Sequence, residues 1–186
     1  MALLPIYPYD ARVLREETRD VVGPSPVLTG LIVNMFETMR VAGGIGLAAN
    51  QVGEGSSLFV IDLRPMEGFE ESSPLVMINP VITDMWGEEI GYEEGCLSVP
   101  NVREEVFRPE KLHIRYRDAS YQEQELEADD FLARVIQHEY DHLRGVFFTD
   151  YLRGLRKRLV MPVLKKIRSG ETEIDYPMAT DVELVS

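Results

Sequence analysis

The feature that most constrains this chain is a pair of histidines four residues apart, His138 and His142, in the stretch "QHEYDHLRG". Four residues make about one turn of an α-helix, so both imidazoles project from one face of such a helix. Glu139 completes the pattern HExxH, in which two imidazoles bind one metal ion and the glutamate faces water on that ion. The alternative is a pair of ordinary surface histidines beside a solvated glutamate. The metal interpretation requires a third ligand.

The third ligand has one clear candidate. No histidine or cysteine follows His142, and Cys96 is the single cysteine. A lone cysteine is usually a buried apolar residue. Gly95 before it permits a close backbone approach, however, and the acidic pair Glu93 and Glu94 is unusual beside an apolar pocket. One thiolate and two imidazoles form a known catalytic coordination set with one open position.

Length and composition indicate one globular domain of 186 residues with 45% hydrophobic residues. A single cysteine excludes an intrachain disulfide, which fits a reducing compartment. No basic residue precedes Arg12, so the N-terminus does not resemble a signal peptide. No apolar run approaches the roughly 20 residues that span a bilayer. We therefore expect a cytoplasmic protein with no membrane partner.

Charge is unevenly distributed. The net charge is −13, yet the segment Arg153–Arg168 holds seven basic residues and no acidic one, which leaves the remainder at −20. An acidic body argues against DNA binding. We call Arg153–Arg168 the basic arm. We expect Pro162 to kink or divide its helix near Met161, and we expect one apolar stripe to dock on the body: Leu152, Leu155, Leu159, Val163 and Ile167.

The hydrophobic pattern predicts an α+β fold, with antiparallel or mixed sheets packed around a central helix that carries HExxH, plus N-terminal and C-terminal helices. The central helix is expected to begin after Asp129 or Asp130 and to end near Leu143, with Gly145 as its stop signal. We expect residues 1–152 to form one catalytic domain, to which residues 153–186 append a basic helix and an acidic tail. The other predicted elements are a helix at 28–42, strands at 57–63, 74–82, 111–118 and 121–128, and a helical stretch after Asp150.

Three segments in this order resemble the peptide deformylases: "GIGLAANQ" (Gly44–Gln51), "EGCLS" (Glu94–Ser98) and "QHEYDH" (Gln137–His142). The sequence "INP" at Ile78–Pro80 fits as well. The resemblance covers about residues 6–152 and is strongest to the shorter bacterial form. It implies a metal-dependent hydrolase that removes the formyl group from the N-terminal formylmethionine of newly made polypeptides and releases formate.

The resemblance also implies roles for single residues. Cys96, His138 and His142 would bind one divalent metal ion, with Fe(II) favoured and Ni(II), Co(II) or Zn(II) left open. Glu139 would act as the base, while the Gln51 side chain and the Leu97 backbone N–H would stabilise the oxyanion. The peptide backbone would be held in extended form by Ile45, Gly46 and Gly95.

The helix spacing suggests where the methionine side chain binds. Phe131 and Val135 precede His138 on the same helix face and suit an unbranched thioether, although plain core packing is an equal alternative. Arg134 on this face would alter the depth or mouth of such a pocket. Around the metal, Glu94 and Asp141 are expected to support the ligands, with Arg103 and Arg108 as their ion-pair partners.

Other functions remain open from the residues alone. An HExxH metalloprotease would cleave unformylated peptides and would not need Cys96. A thiol hydrolase would use Cys96 as its nucleophile, and a catalytically silent ribosome-associated protein would have no reason to retain Glu139 and Gln51. The expected partners are N-formylmethionyl nascent peptides and, through Arg153–Arg168, the ribosome. The alternative is that the arm is a solvated helix face whose positive charge only balances the acidic body.

Overall fold

The framework is one antiparallel sheet whose five strands follow one another in chain order. The computed structural model describes residues 2–180 and 182–185. The strands are β1 (Gly46–Ala48), β2 (Leu58–Ile61), β3 (Leu75–Cys96), β4 (Val99–Arg117) and β5 (Glu123–Asp129). The helices are α1 (Arg12–Arg15), α2 (Pro26–Val41), α3 (Asp130–Leu143) and α4 (Gly154–Arg168), with 3₁₀ turns at Ala49–Val52 and Phe148–Tyr151. The α+β class is confirmed, and its named strands pair in antiparallel fashion throughout.

The hairpin of β3 and β4 is much longer than the sequence predicted. We expected a strand at 74–82, whereas β3 continues to Cys96. Most residues from position 83 to 93 are exposed or half-exposed, so this part of the strand has no clear apolar alternation. At the end of the hairpin, Cys96 pairs with Val99, and Leu97 and Ser98 lie in the turn between them. The long hairpin therefore places the single cysteine at a tight turn.

Helix α3 is central, as predicted, and packs against β1, β2, β4 and β5. It begins at Asp130 and ends at Leu143. Gly145 follows with φ +73°, and a Cβ there would lie 2.5 Å from the Arg15 carbonyl oxygen. Glycine is required at this position because both its conformation and its close approach exclude a side chain. Nine residues of α3 are buried, including His138, Glu139 and His142, so the HExxH helix lies inside the molecule.

Helix α2 positions the chain that leads into β1. Its first turn is capped by Ser25, whose hydroxyl accepts a hydrogen bond from the Leu28 N–H at 3.1 Å, and Pro26 occupies the first helical position. These two signals start the helix two residues earlier than predicted. Gly43, at φ +70°, follows the helix at the position where we expected a stop signal.

Helix α4 docks through a stripe that matches the predicted one only in part: Leu152 and Ile167 are buried, and Val163 packs against the same cluster. Val160, Leu164 and Ile167 are buried against the core, while Leu155 and Leu159 are 70% and 65% exposed. The expected docking of the latter two was wrong. The buried residues recur at steps of four and three, so they also satisfy helical spacing, and only packing against the body selects between the two stripes. The helix also runs without division through Pro162, so of the two expected effects, a kink or a division, the division is absent.

Candidate metal centre

Three side chains from two distant parts of the sequence converge where α3 meets the end of β3. The ligand atoms of Cys96, His138 and His142 all lie within 4.8 Å of one another. The Cys96 Sγ lies 3.2 Å from the His142 Nε2. The imidazoles come from successive turns of α3 and the thiol from the end of β3. Within the described ranges, this is the one group of at least three metal-ligating side chains.

The protonation of the two imidazoles is set by their surroundings. Burial, and then the charges of His138 and Arg108, hold the pKa of His142 well below its ordinary value. His142 is therefore neutral, as a metal ligand must be. Burial also lowers the pKa of His138, but hydrogen bonds with Cys96 and Glu94 outweigh it and leave that pKa well above the ordinary value. The groups that attract a proton to His138 equally favour a metal cation there.

Glu94 orients His138. Its Oε2 lies 2.8 Å from the His138 Nδ1, which leaves the other ring nitrogen free to face the metal position. Burial raises the pKa of Glu94, but hydrogen bonds from His138 and Arg108 more than compensate and hold it well below its ordinary value. Glu94 is therefore an ionised carboxylate inside the core, as expected for a group that supports a ligand. Its ion pairs and hydrogen bonds offset the desolvation cost of burying the charge.

Two arginines surround this carboxylate. Arg108 donates from Nε to Glu94 Oε1 at 2.7 Å and from Nη2 to Oε2 at 3.0 Å, and its Nη1 reaches Asp141 at 2.6 Å. The predicted ion-pair role of Arg108 is confirmed. Arg103 was the other predicted partner, but its side chain is exposed and lies 4.0 Å from Glu93 instead, so that part of the prediction was wrong.

Arg134 is the second arginine beside Glu94. Its Nη1 donates to Glu94 Oε1 at 2.8 Å and to the Val106 carbonyl at 2.9 Å, and its Nη2 donates to the Ile90 carbonyl. The guanidinium also lies over the Tyr92 ring. Arg134 therefore belongs to the Glu94 network, a role that the sequence analysis did not assign to it. A cation on the buried face of α3 was the available signal, since buried cations require anionic or carbonyl partners.

Glu139 lies against the backbone of Gly46. A Cβ at Gly46 would lie 2.3 Å from the Glu139 Oε1, so any other residue there would displace this carboxylate. The Oε2 atom is buried and has no hydrogen-bond partner among the residues that the structure describes. Burial, the dominant cause, raises the pKa of Glu139 to about 7. A carboxyl group with this pKa can both accept and return a proton near neutral pH.

Gln51 faces the same centre. Its Oε1 accepts a hydrogen bond from the Ala48 N–H at 2.9 Å, and this fixes the direction of the amide. The Nε2 consequently points at Cys96, 3.4 Å from Sγ, and at Ser98, 3.2 Å from Oγ. Leu97 lies between these two residues in the hairpin turn. The structure thus brings together both predicted oxyanion donors, beside the predicted ligands.

The predicted substrate residues fall into two groups. Ile45, Phe131 and Val135 belong to one apolar cluster, in which Val135 is buried and the other two are partly exposed. Gly95 lies on the exposed part of the hairpin, where a Cβ would meet the Arg103 side chain at 3.4 Å. Sequence reasoning missed Asn50, whose Nδ2 donates to the His142 carbonyl at 2.5 Å and ties the "AANQ" segment to α3.

An α+β fold in which a buried HExxH helix meets a cysteine from a β-hairpin defines the protein as a metal-dependent hydrolase.

Comparison with known proteins gives the family. The sequence profile of the family described as polypeptide deformylase matches residues 3–158. A peptide deformylase from Salinibacter ruber is 52% identical over 185 residues, which cover 96% of this chain and 95% of that protein. The crystal structure of a peptide deformylase from Legionella pneumophila superposes with a TM-score of 0.82 at 34% identity, covering 91% of this chain and 98% of that one. One from Synechococcus elongatus in complex with actinonin gives 0.79 at 39% identity and covers 98% and 91%.

The chain therefore belongs to the polypeptide deformylase family. It is a hydrolase that removes the N-terminal formyl group from newly made polypeptides, and the family is metal-dependent. The family match decides against the metalloprotease, the thiol hydrolase and the silent binding protein as alternatives.

Proposed function

We propose that Cys96, His138 and His142 hold one divalent ion and that the reaction takes place beside it. The convergence of these three ligand atoms is the observation that carries the proposal. When bound, the ion supplies Lewis-acid activation of the water and of the formyl carbonyl. A donor set of one thiolate and two imidazoles suits Fe(II), which we favour, and also Ni(II), Co(II) or Zn(II).

Glu139 is the general base and then the general acid in this proposal. It accepts a proton from the water as the water oxygen bonds to the formyl carbon, and it returns a proton to the nitrogen as the C–N bond breaks. The products are formate and a peptide with a free amine. The raised pKa of Glu139, about 7, suits both transfers. Its position against Gly46 fixes the carboxylate where β1 begins.

The oxyanion that forms on the formyl carbon needs hydrogen-bond donors in fixed positions. Gln51 supplies its Nε2 and Leu97 its backbone N–H. The hydrogen bond from Ala48 holds the amide of Gln51 in the required orientation. In the transition state the Nε2 would exchange its long contact with Cys96 for the oxyanion.

The peptide would bind as an added strand. β1 lies at the edge of the sheet, with β2 on its other side, so its outer edge can pair with an extended chain. Ile45 and Gly46 lie at this edge, and Gly95 would contribute from the hairpin. Phe131 and Val135 would receive the methionine side chain together with Ile45, because all three lie in one apolar cluster.

The basic arm is the proposed contact with the ribosome, and residues 153–186 are proposed as an appendage to the catalytic domain 1–152. Lys157, Arg158, Lys165 and Lys166 are exposed and form no ion pair with any residue in the described ranges. Exposed cations without an ion-pair partner suit the phosphates of RNA. No helix in the described part of the chain is long and apolar enough to cross a membrane. We propose the cytoplasm as the location, where nascent chains appear.

The test is formate release from formyl-Met-Ala-Ser by anaerobically purified protein of measured metal content. We expect one metal ion per chain and formate equal to the free amine produced. In Cys96→Ser, the metal content should fall strongly because a serine hydroxyl is a poor ligand at neutral pH. Cleavage of unformylated peptides without formate would contradict the reaction, and a full metal complement in Cys96→Ser would contradict the ligand assignment.

A further inference from the structure

The C-terminal tail lies beyond the family profile, which ends at residue 158, yet it returns to the catalytic centre. Along residues 171–178, exposed and half-buried residues alternate, as in an extended strand. The Ile6 N–H donates to the Pro177 carbonyl at 2.9 Å, and the Ala179 N–H donates to the Ile6 carbonyl at 2.8 Å. Backbone hydrogen bonds thus fix this segment beside the N-terminus.

Tyr176 is the residue of the tail that reaches the site. Its hydroxyl donates to the Leu97 carbonyl at 2.7 Å. Burial, and then the nearby charge of Cys96, raise the pKa of Tyr176 to about 12, so the phenol stays protonated and remains a donor at neutral pH. The contact joins residues 79 positions apart. It therefore exists only because the tail folds back over the hairpin turn.

Residues other than Tyr176 also hold the hairpin turn formed by Leu97 and Ser98. The Tyr9 N–H donates to the Ser98 carbonyl at 2.8 Å, and Gln51 donates to the Ser98 hydroxyl. The Leu97 side chain lies over Gly44, where a Cβ would be 2.7 Å from the Leu97 Cδ1. The Leu97 carbonyl is fixed by Tyr176. The Leu97 N–H belongs to the planar peptide group that begins at Cys96, and the Leu97 carbonyl belongs to the next one. Cys96 is held by its pairing with Val99 in the hairpin. With the Leu97 carbonyl held by Tyr176, neither peptide group beside the Leu97 Cα can rotate freely, and the direction of the N–H is restricted.

We propose that Tyr176 is a positioning residue for the deformylase reaction, which aligns the Leu97 N–H with the oxyanion by holding the Leu97 carbonyl. The inference rests on the proposed role of Leu97 in the site. Tyr176 does not touch the substrate. Its effect appears in the transition state, where a donor must meet a charge that is absent from the ground state.

The experiment compares Tyr176→Phe with Tyr121→Phe. Tyr121 is a matched control, since its hydroxyl also donates to a backbone carbonyl, that of Val21 at 2.6 Å, outside the site. Both variants lose one hydrogen bond of the same kind. We expect Tyr176→Phe to lower kcat roughly tenfold, which is less than the loss from deleting an oxyanion donor. KM should stay within about twofold, the pattern for an interaction made in the transition state. Tyr121→Phe should leave kcat unchanged.

The amide resonance of Leu97 provides a second measurement that does not depend on turnover. It should shift in Tyr176→Phe and not in Tyr121→Phe. Equal kcat values in Tyr176→Phe and the wild type, equal losses in both variants, or a change confined to KM would each overturn the inference. If Tyr176→Phe is too unstable to assay, the full-length Tyr176→Leu replaces it, and an unshifted Leu97 amide in that variant would overturn the inference. Failure of the wild-type protein to release formate would refute the proposed function instead.

Discussion

Helices α3 and α4 both carry many charges, but they use them in opposite ways. In α3 the charged side chains of Arg134 and Glu139 are buried, and Arg134 has three hydrogen-bond acceptors. In α4 the lysines are exposed and unpaired within the described ranges. Burial makes a charge costly unless its partners are fixed, whereas water supports an exposed charge without any fixed partner.

The comparison shows where single substitutions matter. A buried charged side chain is held in one position by its partners. Removing that side chain therefore disturbs the metal ligand or the base that it supports. An exposed charge on α4 acts only as part of a group, through the summed field of the arm. We therefore expect large effects from single changes in α3 and measurable effects from α4 only when several charges change together.

The largest expected effect is that of Glu139→Gln. The amide has nearly the same shape but cannot accept a proton from water, so kcat should fall by roughly 10²–10⁴-fold. Metal content and fold should be retained, because the substitution removes a charge from a buried site. Steady-state kinetics and metal analysis provide the measurement, with the exposed Glu127→Gln as the control. Turnover within about tenfold of the wild type would contradict the role of Glu139.

The next largest effect is on stability, and it distinguishes the buried residues of α4 from the exposed residues that the sequence predicted to dock. Leu164→Ala removes a side chain that is 4% exposed and should lower the free energy of unfolding by about 2–5 kcal/mol. Leu159→Ala, on the same helix and 65% exposed, should change it by no more than about 0.5 kcal/mol. Urea unfolding measures both. A larger loss in Leu159→Ala than in Leu164→Ala would mean that α4 docks through the stripe predicted from the sequence.

A smaller effect is expected at Arg134. Arg134→Met removes one donor from Glu94 and so loosens the carboxylate that orients His138. Loss of a group that supports a metal ligand costs roughly 10–100-fold in metal affinity. Competition between the protein and a chromophoric chelator for Co(II) measures this, with the exposed Arg103→Met as the control. An unchanged affinity in folded Arg134→Met would show that Arg108 alone holds Glu94.

The smallest effect on catalysis is expected from the basic arm. Changing Lys157, Arg158, Lys165 and Lys166 together to Gln should leave turnover of formyl-Met-Ala-Ser unchanged. Co-sedimentation with ribosomes should weaken, and its log–log salt dependence should become less steep because fewer phosphates are neutralised. The control is Arg156→Gln, which removes a single charge from the arm. The Arg156 side chain already forms an ion pair with Glu105 at 3.1 Å. Unaltered ribosome binding at low salt in the quadruple variant would leave the arm as a charged surface only.

Local periodicity was enough to predict the parts of the site that lie close together in the chain. The four-residue spacing of His138 and His142 and the stop signal at Gly145 predicted a helix that ends near Leu143, as it does. These features depend on contacts between residues within a few helical turns of one another, so residue spacing in the sequence is enough to predict them. The absence of any histidine or cysteine after His142 left Cys96 as the candidate for the third ligand. The resemblance to the peptide deformylases then implied the role of Gln51, which helix spacing alone could not connect to α3.

Only the tertiary structure decided the contacts between distant residues. Arg134 and Glu94 are 40 positions apart, and Tyr176 and Leu97 are 79 apart. The buried face of α3 indicates that Arg134 needs an anionic or carbonyl partner, but no local pattern says which one, because that partner lies far away in the sequence. The two stripes of α4 are equally helical in spacing, and packing against the body chose between them. The sequence determined which side chains share a face, and the long-range packing determined what each face meets.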